Sequence, residues 1–202
     1  MYTELKQWML VVLISAGVIA GCTPSQPVPA APLRDFTPAE LILDDKALPS
    51  DTWLMHASKE VRPDDFGGHE GGVSANAIEY NGEASGFHVV IQFQSDRAAS
   101  QAYQEHAFTE DDTRGKYGTT WKPLSNFAYH SPLADQFQVV CGTTRNVSNI
   151  GAHCFIEAQY AEFVSLVNYS TLDADRARSD LEALAKAVDA RFAHYLNGGT
   201  SK

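Results

Sequence analysis

The chain has 202 residues, 44% of them apolar, and a formal net charge of −10 at pH 7. That excess of acid argues against nucleic acid as a partner and leaves no polybasic patch for anionic lipid. The apolar fraction, with its 10 phenylalanines, suffices for a buried core and argues against a disordered chain.

At the N-terminus, Lys6 precedes an apolar run from Trp8 to Ala20, which small residues close at Gly21 and Cys22. A spanning helix needs about 20 apolar residues, so this shorter run reads as a cleaved export signal. An uncleaved N-terminal membrane helix is the competing reading, because Glu4 offsets Lys6 and bulky Trp8 and Met9 open the run. The stretch Ile19-Ala20-Gly21-Cys22 resembles the lipobox of bacterial lipoproteins. That resemblance implies a signal peptide over 1–21, cut before Cys22, with lipid on the Cys22 sulfur. It also implies palmitate-type acylation and a partner that is the membrane itself. Thr23 is not the aspartate that favours inner-membrane retention in proteobacterial lipoproteins, so the outer membrane is implied where a cell has two.

Residues 22–36 carry four prolines without periodicity and read as an extended tether. One globular domain is expected over 37–196, followed by a flexible tail at 197–202. Thr37-Pro38-Ala39-Glu40 has the elements of a capping box and predicts a short helix, stopped before Pro49. Leu48-Pro49 followed by Trp53 is expected to seat an aromatic anchor. Residues 62–72 form a glycine-rich loop, Val73 to Tyr80 a strand, and Asn81-Gly82 a turn. Gly86 to Gln94 is a strand with Phe87, Val89, Ile91 and Phe93 on one face. His88, Gln92 and Gln94 lie on its other, polar face, and Val90 alone breaks the alternation. Asp96 is the expected cap of a helix running to about Phe108, with Ala99, Ala102, Tyr103 and His106 inward. Residues 109–120 read as an exposed loop.

Phe137, Val139 and Cys141 share one strand face, and Cys154, Ile156, Ala158 and Tyr160 share another. Pairing Cys141 with Cys154 sets Val139 opposite Ile156 and Phe137 opposite Ala158, so one register serves both the alternation and a disulfide. Metal binding by these thiols is the weaker reading, since the spacing lacks the pairs of a zinc site. Residues 142–152 make a polar hairpin loop. Ala161-Glu162 is either a tight turn or the middle of one long strand. From Asp173 as cap, Ala177, Leu181, Leu184, Ala185, Val188, Phe192 and Tyr195 fall at helical spacing, with Glu182 and Lys186 able to pair outside. The whole predicts an α+β domain with an antiparallel sheet of about four to six strands and helices mainly on one face.

Chemistry is sparse. His69 and Glu70, inside Gly67 to Gly72 and near Asp64 and Asp65, are the local feature that could bind a metal or move a proton. No HExxH, GxSxG, P-loop or GxGxxG pattern accompanies them. His88, His106, His130, His153 and His194 are scattered, and His153 abuts Cys154. Trp53, Trp121, Tyr117 and Tyr129 could stack on a sugar or peptide, but core packing is the commoner use. Asn146 and Asn168 fit a glycosylation sequon that carries little meaning in a bacterial lipoprotein.

The order of a short helix, Leu48-Pro49 and Trp53, two strands, a helix opening near Asp96-Arg97-Ala98-Ala99, the cysteine-bearing strand pair and a terminal helix is similar to that of small exported bacterial α+β domains of uncharacterised function. The expectation is an envelope lipoprotein acting as a non-catalytic binding or interaction module, with no cofactor, metal or catalytic residue assigned. Its partner would be an envelope protein or a small ligand, met by the loops 62–72, 109–120 and 142–152 if they gather at one end of the sheet. A metal-assisted hydrolase around His69 and Glu70 is the alternative, and an assembly or stress accessory a third.

Overall fold

The computed structural model describes residues 34–47, 54–65, 71–82, 84–106, 120–143 and 152–198. The stretches read as signal peptide and tether up to residue 33, with Cys22, and Leu48-Pro49, Trp53, His69-Glu70 and most of the loops 109–120 and 142–152 lie outside these described residues.

After a four-residue helix α1 (Pro38–Leu41) come strands β1 (Leu54–Met55), β2 (Lys59–Val61), β3 (Gly72–Asn81) and β4 (Ala84–Phe93). Helix α2 (Asp96–His106) leads to β5 (Thr120–Pro123), β6 (Gln136–Thr143), β7 (Ala152–Tyr160), β8 (Phe163–Thr171) and helix α3 (Ala174–Leu196). The strands form one sheet in the order β1-β3-β4-β8-β7-β6-β5, with β2 also paired to β3. Every pairing is antiparallel. After β4 the chain passes through α2 to the far edge, then steps inward until β8 closes on β4.

The sheet has eight strands where four to six were expected. The excess comes from β1, β2 and β5, which are two, three and four residues long and too short to show alternation. The expected register of β6 on β7 is the one found: Cys141 faces Cys154, Val139 faces Ile156 and Phe137 faces Ala158. The two cysteines are joined in a disulfide. Ala161-Glu162 is a turn, not strand, and Ala161 takes a positive φ of 50°. That backbone costs an alanine about 1–2 kcal/mol. It is held at both ends, since the Ala161 N–H donates to Asp135 Oδ2 at 2.8 Å and the Ala161 carbonyl accepts from Gln159 Nε2 at 2.9 Å.

The helices do not keep to one face. Helices α1 and α3 cover one side of the sheet with Leu41, Ile42, Leu181, Leu184, Val188 and Phe192, all essentially inaccessible. Helix α2 covers part of the other with Ala99, Ala102 and Tyr103. The reason is visible in β4, where Val89, Val90 and Ile91 are all fully buried: consecutive apolar residues need cover on both faces. Val90, the break in the alternation, belongs to the α3 side. Ser95, not Asp96, caps α2, its hydroxyl accepting from the Ala98 N–H at 3.2 Å.

Asp173 caps α3 as expected, accepting from the Asp175 and Arg176 N–H groups. Each large apolar side chain that α3 buries is worth about 1.5–3 kcal/mol. Glu182 and Lys186 pair on its outer side at 3.8 Å. The buried side also carries two acids that spacing did not single out. Asp180 accepts from the Tyr169 hydroxyl at 2.9 Å, and Asp189 from the hydroxyls of Ser131 at 2.8 Å, Tyr160 at 2.5 Å and Tyr129.

The segment before β1 crosses this closed face lengthwise. Arg34 and Phe36, within the stretch read as tether, pack at the β7–β8 turn. There Arg34 pairs with the inaccessible Glu162 at 2.7 Å, and Phe36 stacks on Phe163 with ring centroids 5.8 Å apart. Farther along, the Leu43 N–H donates to His88 Nδ1 at 3.1 Å and Arg191 Nε donates to the Ile42 carbonyl at 3.1 Å. Leu54 then reaches Asn81, at the end of the sheet nearest the disulfide. His88 was expected on a polar, solvent-facing side; it is fully buried under this segment.

Candidate ligand-binding face

The register arranges the α2 side of the sheet in cross-strand rows. Two rows lie under α2: Ala75, Ile91, Val164, Gln159 and Gln136, then Ala77, Val89, Leu166, Glu157 and Gln138. Their apolar half packs on α2. Their polar half is internally bonded, with Gln138 Nε2 donating to Glu157 at 2.7 Å and Gln136 Nε2 donating to Ser100 at 2.9 Å and Gln159 at 2.8 Å.

Toward the disulfide end the cover changes. The next row reads Glu79, Phe87, Asn168, Phe155 and Val140, and the last Ser85, Ser170, His153, Gly142 and Trp121. Helix α2, eleven residues and about 16 Å long, buries Ala99, Ala102 and Tyr103, and Phe87 and Phe155 are partly buried against that cluster. Glu79 and Ser85 are exposed, and Phe87, Phe155, Ser170 and His153 are half-buried. A recess of about 330 Å³ opens beside Phe87, lined by Glu79, Asn81, Ser85 and His56.

The side chains here combine rings with neutral hydrogen-bonding groups. Phe87 and Phe155 meet edge to face at 6.4 Å between centroids, although their strands are separated by β8. Both lean over Asn168, which is 8% exposed. Trp121 packs on His153 at 5.1 Å and on Phe155 at 5.0 Å. Asn168 Nδ2 lies 2.8 Å from His153 Nε2. Desolvation holds the His153 pKa below its ordinary value, so the ring is neutral at pH 7. The one formal charge, Glu79, is matched by Lys59 at 2.9 Å, and that hydrogen bond lowers the carboxyl pKa.

Gly86 makes the row possible. On the closed face the Tyr80 ring reaches across Gly86 to donate its hydroxyl to the Asn168 carbonyl. A Cβ on Gly86 would stand 2.0 Å from that carbonyl oxygen and 2.7 Å from the Tyr80 hydroxyl. Asn168 is therefore gripped by its backbone from one side and presents its amide on the other.

The sequence-based candidates fare unevenly. Cys141 and Cys154 form a bridge, which removes His153 from any thiol chemistry. His69, Glu70 and Cys22 lie outside the described residues. His88 and Ser165 are 3.0 Å apart, a dyad distance, but the Leu43 N–H occupies Nδ1, so the ring proton sits on Nε2 and is donated to Ser165. A base that donates to the hydroxyl cannot activate it. Trp121 is 4% exposed and part of the packing, and Tyr129 is spent on Asp189. Among the described residues no three His, Cys, Asp or Glu side chains are grouped to hold a metal ion, and no helix is long and apolar enough to cross a membrane. The loops themselves lie outside the described residues, and the described ends of the first and third lie at opposite ends of the sheet. Gly72, where the first ends, pairs with Phe93 at the turn end, whereas Thr143 and Ala152 flank the third at the disulfide end.

Asn168 and Ser170 were visible in sequence only as a sequon, and Phe87 and Phe155 only as strand residues. The β4–β8 pairing that unites them leaves no trace in either strand's own pattern.

No family model matches the chain, and no curated protein matches it. Among solved structures, the extracellular domain of PknH from Mycobacterium tuberculosis is similar, with a TM-score of 0.53 at 15% identity. The match covers 75% of this chain and 92% of that one, and the likeness is one of fold.

Proposed function

We propose that this chain is a lipid-anchored module of the cell envelope that binds a ligand on the sheet face beyond α2 and does no chemistry on it. The observation that carries the binding half is the recess of about 330 Å³ lined by His56, Glu79, Asn81 and Ser85, beside the neutral Asn168–His153 pair in the last two rows. Nothing in those rows pairs a nucleophile with a base or places an acid beside a general-acid partner.

The Cys141–Cys154 disulfide supports export, because such bridges persist in oxidising compartments. A likeness to an extracellular domain points the same way. The Ile19-Ala20-Gly21-Cys22 stretch supports an anchor on Cys22, and more than one acyl chain would be needed for lasting attachment.

Three measurements test this reading. In cell fractionation, Cys22→Ser is expected to leave the signal uncleaved or release the protein; a processed chain still on the membrane refutes the anchor. Alkylation without reductant, read by intact mass, is expected to leave Cys141 and Cys154 unlabelled. For the binding half, envelope components retained by the wild type are expected to be lost from Phe87→Leu, and equal retention refutes this face as the site.

A further inference from the structure

We infer that Asn81 is a site of covalent self-modification, at which the side-chain amide is lost as ammonia and a carboxylate takes its place. The reaction needs no partner but water, and it stands whether or not the neighbouring recess is the ligand site.

The chain holds two Asn-Gly steps, Asn81-Gly82 and Asn197-Gly198. Such a step is reactive because the glycine nitrogen, with no Cβ beside it, can close on the preceding side-chain amide carbon. Water removes the proton from the Gly82 nitrogen, a bond forms from that nitrogen to Asn81 Cγ, and the Cγ–Nδ2 bond breaks. Nδ2 leaves as ammonia, taking up one proton in place of the one lost from Gly82. Water then opens the five-membered imide ring. It returns a hydrogen to the Gly82 nitrogen and leaves aspartate or isoaspartate at position 81, with no change in oxidation state.

The fold treats the two steps differently. Gly198 closes α3: its N–H donates to the Tyr195 carbonyl at 3.2 Å, as the Asn197 N–H does to the Ala193 carbonyl at 3.2 Å. The proton of that nucleophile is engaged, and the partial negative charge of a helix C-terminus opposes an amide anion there. Gly82 stands just past the end of β3, where the ladder with β1 stops at the Leu54–Asn81 pair. Its N–H has no backbone acceptor among the described residues. All four residues are exposed, so access to water does not separate the two steps.

The second difference is His56. Its backbone N–H donates to the Glu79 carbonyl at 2.9 Å, which fixes its register on β3, and its Nε2 lies 3.0 Å from Asn81 Nδ2. Nδ2 is the atom that must leave. Once Cγ is tetrahedral, that nitrogen is an amine and can take a proton from Nε2, so His56 is placed as the general acid of the step. The product adds a negative charge to the wall of the recess that Asn81 lines with Glu79 and Ser85.

The test incubates the full chain in detergent micelles at neutral pH and follows amide loss at each site by peptide mass spectrometry. Asn81 is expected to convert at least about fivefold faster than Asn197, the effect of one hydrogen bond on the nucleophile. His56→Ala and His56→Gln are each expected to slow Asn81 by about tenfold, with Asn197 unchanged. His56→Gln keeps a hydrogen-bonding amide but transfers no proton, which separates proton transfer from mere placement. In denaturing urea the two sites are expected to converge and the His56 substitutions to lose their effect. Conversion at Asn197 as fast as at Asn81, or no conversion at Asn81, overturns the site. An unchanged rate in His56→Ala, or full rescue by His56→Gln, overturns the proton-transfer role of His56. A difference that persists in urea traces to sequence alone and overturns the structural argument.

Discussion

The two faces of this sheet use polar groups in opposite ways. On the α3 side every buried polar side chain among the described residues is spoken for. Asp189 takes three hydroxyls, Glu162 takes Arg34, and His88 is bonded at both ring nitrogens. On the α2 side the rows under the helix are likewise internally bonded, but the two rows beyond it keep an amide–imidazole pair with capacity to spare. Satisfied polar networks lock a structure, while hydrogen-bonding capacity left over is what a ligand can use. The closed face is therefore expected to govern stability and the open rows to govern binding.

The largest separation should come from Gly86→Ala. A methyl 2.0 Å from the Asn168 carbonyl oxygen cannot be absorbed by a side-chain shift, so a loss above about 3 kcal/mol, or no folding, is expected in urea denaturation. Asp189→Ala strands the hydroxyls of Tyr160, Tyr129 and Ser131, and should cost about 3 kcal/mol in the same urea denaturation.

Acid should act through His88. Burial, and then the nearby Arg191 charge, lower its pKa from 6.5 to about 3. The unfolded chain thus binds the proton more readily, and stability falls as pH drops from 6.5 towards 3. At 1.36 kcal/mol per pH unit this removes about 2 kcal/mol by pH 5. His88→Asn should flatten that slope in unfolding curves taken at several pH values, and an unchanged slope would place the effect elsewhere. The smallest change belongs to the open rows: Ser170→Ala should shift the unfolding midpoint by no more than about 0.5 kcal/mol. A large loss there would mean that the two faces do not divide the work as stated.

Much of the frame was legible before any coordinates. Seven apolar residues at helical spacing located α3, and the cysteine pair set the register of β6 on β7. Both signals are local: a helix repeats within itself, and a hairpin pairs neighbours. His88 was misplaced because alternation assigns a polar residue to solvent, and nothing in β4 records that a segment 45 residues earlier returns to cover it. The candidate face was hidden for the same kind of reason. Phe87 and Asn168 are 81 positions apart and become neighbours only when β8, last of the strands, inserts beside β4. His153 drew attention for the thiol beside it, whereas its partner in the fold is an amide on the adjacent strand.

The Arg34–Glu162 pair has a consequence for orientation. It ties the incoming chain to the β7–β8 turn, so whatever precedes residue 34 departs from that end of the body. From Phe163 to Ser170 the strand climbs seven residues, about 24 Å, and the open rows lie at the top of that climb. Under the proposed anchoring, the domain stands on its turn and holds its binding rows at the pole facing away from the bilayer. A bulky ligand could then dock without sliding between the protein and the lipid. On that proposal the ion pair works as the heel of the molecule, next to which its tie to the membrane begins.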